Sequence, residues 1–132
     1  MWEHSNTSLP RAAARRASFN KVVRFTNERT GEHLADARVA SALQDRVTGL
    51  LNYTGLQFPE GLWLVPADEI HTVGMRFPID VAFLDHNHVI LAAWSVPPGF
   101  QVRALGAKSV LELPAGQLQN SQPGDRLKAL AL

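Results

Sequence analysis

The sequence predicts a mainly β fold: a small single-domain β sandwich of jelly-roll type, or a barrel-like variant of it, with one α-helix at about 42–51. From residue 19 onward, apolar residues occur in short runs that turn residues separate, a pattern typical of strands. About eight such runs are present, and one segment has helical spacing instead. The length of 132 residues fits one domain of ordinary size, which buries about two thirds of its surface.

The composition excludes several classes of protein. Hydrophobic residues make up 45% and charged residues 19% of the chain, a balance that is ordinary for a globular domain and too apolar for a disordered one. Because the chain has no cysteine, disulfide scaffolds, thiolate nucleophiles and cysteine zinc sites are excluded. The formal net charge is +1 and the basic excess lies near the N-terminus, so we do not expect nucleic acid as a partner.

The first residues differ in composition from the rest. Residues 1–18 are rich in Ser, Asn, Ala and Arg and predict a flexible leader, whereas residues 19–132 predict a single β-rich domain. Arg15 and Arg16 resemble part of an export signal, but Arg24 and its charged neighbours interrupt the apolar stretch that such a signal needs. No window reaches the roughly eighteen apolar residues of a membrane-spanning helix, and we expect a soluble, cytoplasmic protein.

The first two strands form a predicted hairpin, and a helix follows them. Apolar residues at 22–25 mark the first strand, and a turn at 27–31 ends it. Apolar residues alternate with charged ones at 35–39, which indicates a half-buried partner strand. The spacing of Ser41 and Gln44 matches a capping box, and the apolar residues after it recur on one helical face, which predicts the helix.

The remaining strands are predicted from apolar runs and the turns between them. The run 61–66 is bounded by Gly and Pro and is too short for a helix, which indicates a buried strand. The runs 79–84 and 89–96 flank turn residues at 85–88 and predict a hairpin. The last predicted elements are a strand at 109–113, an irregular or helical return at 114–123 and a closing strand at 126–130.

Five local motifs follow one another along the chain. They are Arg46-Val-Thr-Gly-Leu-Leu51, Glu60-Gly-Leu-Trp-Leu64, His71-Thr-Val-Gly-Met-Arg-Phe-Pro-Ile-Asp-Val-Ala-Phe-Leu-Asp85, Val110-Leu-Glu-Leu-Pro-Ala-Gly116 and Gly124-Asp125-Arg-Leu127. In this order the set resembles the prokaryotic family called domain of unknown function 192, over about Lys21 to Leu130. The resemblance implies a compact β sandwich of jelly-roll type with a helix across it, and it implies no particular reaction.

The segment 71–80 is the strongest site candidate, because it holds an imidazole, a thioether, a guanidinium and a carboxylate within ten residues. Gly74 and Pro78 give this segment a bent path, so its side chains can line a pocket with those of neighbouring strands. The predicted ligand-binding residues are Trp63, His71, Met75, Arg76, Asp80 and Glu112.

Glu112 lies mid-strand between two leucines, and three alternatives follow. Strand alternation can expose it, burial can make it a polar lock for the following loop, or it can contact a ligand. An unpaired buried charge is strongly unfavourable. A buried Glu112 therefore needs a partner, for which the candidates are Arg46, His71 and Arg76.

The same residues allow acid–base chemistry. His71 with Asp80 or Glu112 suits a hydrolase that activates water. Covalent catalysis is not expected, because cysteine is absent and no serine lies in a Gly-x-Ser-x-Gly elbow. His71 with Met75 or with nearby carboxylates matches no specific metal-ligand spacing, so we expect no metal and no cofactor.

Three functions from different classes fit these residues. The first is a binding or accessory domain that holds a small polar molecule or a protein segment in a pocket around His71, Asp80 and Glu112. The second is the hydrolase. The third is a structural or interaction subunit of a larger assembly, whose sign is an exposed apolar patch. We favour the first, because the polar cluster has neither a nucleophile nor a metal-ligand set.

Overall fold

The computed structural model describes residues 21–42, 45–46 and 49–132, which form nine β-strands. The predicted leader at 1–18 lies outside the described residues. No helix within this part of the chain is long and apolar enough to cross a membrane. The strands are β1 (Val22–Asn27), β2 (His33–Ala40), β3 (Glu60–Leu64), β4 (Glu69–His71), β5 (Ile79–Leu84), β6 (Ile90–Val96), β7 (Gln101–Arg103), β8 (Ser109–Pro114) and β9 (Leu127–Ala131).

Seven strands form one sheet in the order β6-β5-β8-β3-β2-β1-β9, and β4 pairs with β7 in a separate two-stranded ribbon. The large sheet curls into a half-barrel, which confirms the predicted mainly β fold in its barrel-like form. β2 and β3 are parallel, whereas the other neighbours are antiparallel. Parallel neighbours need a crossover connection, and the described residues Leu50 and Tyr53 of this connection pack on one face of the sheet.

The edge strands β6 and β9 meet at one corner of the curled sheet. The Ile90 amide donates to the Asp125 carbonyl at 2.8 Å, and the Leu127 amide donates to the His88 carbonyl at 2.9 Å. This closure encloses an apolar interior to which every strand of the large sheet contributes. The contributors, in chain order, include Phe25, Leu34, Trp63, Leu84, Ile90, Leu111 and Leu127.

The outer face of the sheet carries a second core. Because side chains alternate along a strand, Leu62 and Leu64 point to this face while Trp63 between them packs with the interior. Leu50 of the crossover and Ile70 of the β4–β7 ribbon cover the outer core. The central strands β5 and β8 are therefore buried on both faces, which explains their almost continuous apolar sequences.

Both predicted hairpins are confirmed. β1 pairs with β2, and in the turn between them Asn27 Oδ1 accepts the Arg29 amide at 2.8 Å. β5 pairs with β6, and Asp85 Oδ1 accepts the amides of Asn87 and Val89 at 2.8 and 2.9 Å. Such side-chain-to-backbone bonds are the physical reason why Asn and Asp mark turns in a sequence.

The structure differs from the sequence prediction at two short strands, and one predicted element is only partly described. β4 and β7 have three residues each, too few for an alternating pattern to stand out. The predicted helix at 42–51 includes positions 43, 44, 47 and 48, which lie outside the described residues. Asp45 and Arg46 have helical geometry, and the Arg46 amide donates to the Ala42 carbonyl at 3.0 Å, which is α-helical spacing.

Candidate functional site

A pocket of about 310 Å³ lies on the outer face of the sheet, between the crossover segment and β4. Its walls are mainly apolar and include Leu50, Leu51, Leu64, Ile70 and Met75. A smaller set of polar side chains completes the lining. These are Arg46, Asp68, Glu69, His71, Gln101 and Glu112. An apolar cavity with a few polar groups is the usual composition of a small-molecule site.

The structure separates the six predicted site residues into two groups. Those that line the pocket are His71, Met75 and Glu112. Those that lie elsewhere are Trp63, Arg76 and Asp80. Arg76 is exposed to solvent, whereas the other two belong to the interior face of the half-barrel.

Asp80 faces the interior because of the register between β5 and β8. It pairs with Leu113, the residue next to Glu112, and successive strand residues point to opposite faces. Asp80 is 4% exposed, and its Oδ2 accepts the Leu118 amide at 2.8 Å. It therefore anchors the turn that follows β8, and the expected pocket around His71, Asp80 and Glu112 forms without Asp80.

Trp63 packs with the aromatic side chains of the interior. Its ring lies 5.0 Å from that of Phe25 and 5.4 Å from that of His88, both in edge-to-face geometry. This arrangement is favourable for aromatic pairs. The expectation that Trp63 lines the pocket does not fit this position, since its neighbours Leu62 and Leu64 occupy the outer face.

Glu112 is buried at the centre of the sheet. Its cross-strand neighbours are Leu62 on β3 and Val81 on β5, and 4% of the residue is exposed. Among the described residues, none forms a hydrogen bond with its carboxyl group. Burial raises the pKa of Glu112 to about 8, because a desolvated carboxylate is unfavourable. The group is therefore mostly protonated at neutral pH.

The three predicted partners of Glu112 are placed differently. Arg46 and His71 line the same pocket, and Arg76 does not. The Arg46 guanidinium donates to the backbone carbonyl of Ser41. Of the three alternatives for Glu112, exposure to solvent and a hydrogen-bonded role in fixing the following loop do not fit its position. Its carboxyl group lines the pocket, where a ligand can contact it.

The rim of the pocket is formed by Asp68, Glu69, His71 and Gln101 from the β4–β7 ribbon and the residue before it. His71 pairs with Gln101 across the ribbon, and Gln101 Nε2 donates to the Glu69 carboxylate. Arg103 donates to Asp68 at 3.2 Å. Asp68, Glu69 and Gln101 are missing from the predicted site. The alternation of polar and apolar residues from Glu69 to His71 is the sequence signal for Glu69, but it spans only three residues.

The loop after β4 is held by Thr72, which is fully buried. Thr72 Oγ1 donates to the Pro97 carbonyl at 2.6 Å and accepts the Phe100 amide at 2.9 Å. The Met75 amide donates to the Thr72 carbonyl at 3.1 Å. Gly74 has a φ of 87°, a conformation that glycine adopts without strain. This tight turn keeps the Met75 side chain in the pocket.

A buried polar pair lies near Glu112. Arg38 donates to the hydroxyl of Tyr53, and its guanidinium lies 5.6 Å from the centre of the Tyr53 ring. Burial raises the pKa of Tyr53 to about 12, and the charge of Glu112 adds to this rise. A deprotonated Glu112 therefore raises the pKa of Tyr53 further, through charge repulsion.

Two further features bear on the remaining alternatives. Within the described ranges, no group of three or more His, Cys, Asp or Glu side chains is placed to hold a metal ion. Large apolar side chains are exposed on and after several edge strands, which is the sign expected of an interaction subunit. They include Leu91, Trp94, Phe100, Leu105 and Leu130.

Comparisons with known proteins give a family and a fold. The model of the family DUF192, described as an uncharacterised ACR, matches residues 25–129. A candidate transcription regulator from Sinorhizobium meliloti 1021 has a similar structure, with a TM-score of 0.74, 21% identity and coverage of 86% of this chain and 97% of that chain. A protein of unknown function from Novosphingobium aromaticivorans DSM 12444 has a TM-score of 0.70, 22% identity and coverage of 81% and 83%. Among curated proteins there is no match. At these identities the two structures support the shared fold alone.

Proposed function

This chain belongs to DUF192, a family of uncharacterised proteins, and from its pocket we propose that it is a small-ligand binding domain. The ligand is a small polar molecule or a side chain of a protein segment. It enters the outer-face pocket and forms a hydrogen bond with the Glu112 carboxyl group at the base. His71 and the other rim residues contact its outer end.

The observation that carries the proposal is the carboxyl group of Glu112, which lines the pocket and receives no hydrogen bond from the described residues. A hydrogen bond contributes about 0.5–1.5 kcal/mol net, and about 1.5–3 kcal/mol when one partner is charged. A ligand that donates to this carboxyl group gains that free energy. The group is therefore stabilised by occupancy of the pocket.

The shape of the pocket agrees with a small ligand. Its volume of about 310 Å³ is at the lower end of the range for ligand sites, which is roughly 300–1,000 Å³. Met75 is held by the Thr72 turn and Ile70 by the ribbon, so two walls are fixed before a ligand arrives. A preformed site loses less conformational entropy on binding.

The test is a screen of small polar compounds and short peptides by amide correlation NMR. Binding in the pocket is expected to shift the amide resonances of Leu50, Ile70 and Met75. Glu112→Gln, which keeps the size of the side chain, is expected to weaken the response at least tenfold. Glu28→Gln is the matched control, because Glu28 is an exposed carboxylate outside the pocket.

Two results would overturn this proposal. One is a screen in which no compound shifts the pocket amides of the folded protein. The other is a binder whose affinity is equal for the wild type and for folded Glu112→Gln. A variant spectrum with native dispersion shows that the comparison is made between folded proteins.

A second candidate, a hydrolase, is favoured by one observation: a carboxyl group with a pKa of about 8 shares a pocket with His71. A protonated Glu112 can donate a proton to a leaving group, and His71 can activate water as the base. Asp80, the other predicted carboxylate for this role, lies on the opposite face.

The hydrolase is tested by activity on a panel of ester, amide and glycoside substrates across pH 5 to 9. Activity that falls as pH rises through about 8, and that is lost in both Glu112→Gln and His71→Ala, is the expected result. A Glu112 carboxyl resonance that titrates near the ordinary value of about 4.3 would exclude Glu112 as the acid.

A further inference from the structure

We propose that the ligand of the outer-face pocket is a small organic ammonium ion, whose nitrogen pairs with the carboxylate of Glu112. This inference rests on the proposed function and adds the chemical class of the ligand. It is carried by the charge of the lining, by the buried carboxyl group and by the apolar walls.

The charged groups of the lining are mainly acidic. Glu112, Asp68 and Glu69 contribute three carboxyl groups, and Arg46 is the arginine among the lining residues. Arg103 offsets Asp68 through an ion pair at 3.2 Å. Glu69 receives a hydrogen bond from the neutral side chain of Gln101. A cationic ligand therefore lies beside a carboxyl group at the rim and, once Glu112 has released its proton, beside a carboxylate at the base.

The cations near Glu112 are engaged elsewhere. Arg46 donates to the Ser41 carbonyl, and Arg38 donates to the Tyr53 hydroxyl and lies over its ring. His71 is exposed on the rim. Burial is the cause of the raised pKa of Glu112, and no positive charge among the described residues opposes it. The place next to this carboxyl group is therefore open to a cation that a ligand brings.

The walls indicate an organic cation rather than a metal ion. Leu50, Leu64, Ile70 and Met75 offer no oxygen or nitrogen ligand from their side chains, and they enclose space for a hydrocarbon body. The described residues hold no metal-binding group of three or more side chains. The volume of about 310 Å³ corresponds to roughly ten water molecules, so an amine with a short aliphatic body fits.

The proposal includes a proton transfer that balances. When the ammonium ion R–NH₃⁺ binds, the Glu112 carboxyl group releases its proton to solvent and becomes a carboxylate. The product is an ion pair of R–NH₃⁺ with this carboxylate, and the ammonium ion keeps all its protons. Below pH of about 8, each binding event therefore releases close to one proton. The dissociation constant falls about tenfold per pH unit up to this point. It is then constant until the amine itself deprotonates near pH 10, the usual range for an alkyl ammonium.

The groups that face Glu112 bear on this pH dependence. Tyr53 keeps its proton throughout, since its pKa is about 12, and the arginines Arg38 and Arg46 stay charged. The charged or titratable groups of the rim that face the pocket are Asp68, Glu69 and His71. His71→Ala is measured beside the wild type, so that any contribution of His71 is separated from that of Glu112.

The experiment is calorimetric titration of the full chain with n-butylammonium, n-butanol and butyrate, each in two buffers of different ionisation enthalpy at pH 6.5 and 8.5. Butylammonium is expected to bind more than tenfold tighter than the other two. The two buffers are expected to report close to one proton released at pH 6.5 and much less at pH 8.5. Glu112→Gln is expected to lose both the preference and the proton release, and Glu28→Gln to keep both.

The source of the ammonium group is tested with a short peptide that contains one lysine. A peptide that binds more tightly than butylammonium assigns the site to a lysine side chain, and a peptide that does not bind assigns it to free amines. Both results support the ammonium class. If Glu112→Gln does not fold, proton release by the wild type still decides the question.

The failures of the two proposals are distinguishable. A neutral or anionic compound that shifts the amides of Leu50, Ile70 and Met75, while butylammonium does not, overturns the ammonium inference and leaves the binding function standing. Butylammonium binding without proton release at pH 6.5 also overturns it. A protein in which no compound shifts these amides overturns both.

Discussion

Asp80 and Glu112 are two buried carboxyl groups on adjacent strands that point to opposite faces of one sheet. The register places Asp80 beside Leu113 and Val81 beside Glu112. Asp80 is thus one residue out of step with Glu112, and because successive strand residues point to opposite faces, the two carboxyl groups lie on opposite sides of the sheet. Their environments follow from this. Asp80 accepts a backbone amide, whereas Glu112 lines the pocket.

The first prediction concerns the pH dependence that Glu112 imposes on folding. Its pKa is raised to about 8 in the folded protein, above the unfolded value, so the unfolded chain binds fewer protons between about pH 4.5 and 8. The free energy of unfolding should therefore fall as pH rises through this window, by at most about 1.4 kcal/mol per pH unit. Urea unfolding from pH 5 to 9 measures it.

Glu112→Gln removes the titrating group and should flatten this curve, so the variant gains stability relative to the wild type as pH rises. Glu28→Gln should keep the wild-type slope. A wild-type curve that is flat between pH 5 and 8 would show that Glu112 titrates in its ordinary range.

The second prediction separates Asp80 from the pocket. Asp80→Ala leaves the buried Leu118 amide without its acceptor and should destabilise the protein by about 1–3 kcal/mol. Ligand-induced shifts of pocket amides should persist, because Asp80 faces the interior. Ser95→Ala is the control, since Ser95 pairs with Asp80 on β6 and is exposed. Loss of ligand response in folded Asp80→Ala would contradict this placement.

The third prediction concerns the corner where the sheet closes. Asp125 accepts hydrogen bonds from Arg29 at 2.7 Å, from Asn27 at 3.0 Å and from the Gln122 amide at 3.0 Å. Asp125→Ala should cost about 2 kcal/mol. It should also speed hydrogen exchange at the Ile90 and Leu127 amides, which bridge β6 and β9.

The same contacts give this corner a pH dependence of the opposite sign. Arg29 holds the pKa of Asp125 well below its usual range, so its contribution is complete above about pH 4 and is lost as pH falls further. Hydrogen exchange of the bridging amides that is unchanged in Asp125→Ala would show that the corner closes without this carboxylate.

The fourth prediction concerns Gly61, where β3 passes close to both neighbouring strands. A Cβ at this position would lie 3.0 Å from the Ala35 Cβ and 3.2 Å from the Glu112 carbonyl oxygen. Gly61→Ala should destabilise the protein by about 1–3 kcal/mol through overpacking. Gly55→Ala is the matched control, since nothing lies within 4 Å of its Cβ position. Equal thermal midpoints for both variants would rule out this close approach.

Periodicity predicts the long strands because their environment repeats every two residues, as at 35–39, where apolar and charged residues alternate. It cannot predict which face of one strand meets which face of another, since register depends on contacts distant in sequence. This is why Trp63 and Asp80 are expected at the pocket and are found in the interior. Glu112, His71 and Met75 are reached by the same reasoning and do line the pocket.

The remaining differences have local causes. Glu69 and Gln101 belong to strands of three residues, whose pairing comes from the loop contacts around Thr72 rather than from a pattern of their own. The rim residues therefore cannot be predicted from the sequence, because they come together only through the pairing of β4 with β7. Gly61, by contrast, lies in a motif that the sequence already singles out, and the close approach of Ala35 explains why a side chain is absent there.

The parallel pairing of β2 with β3 also determines where a cavity can exist. Two parallel neighbours oblige the chain to travel back along the sheet, and here the returning segment carries Arg46, Leu50 and Leu51 over the outer face. This side of the pocket therefore follows from the connection between β2 and β3. A chain that keeps this strand order keeps a connecting segment over the outer face, whereas the side chains of that segment can vary with the ligand that is bound.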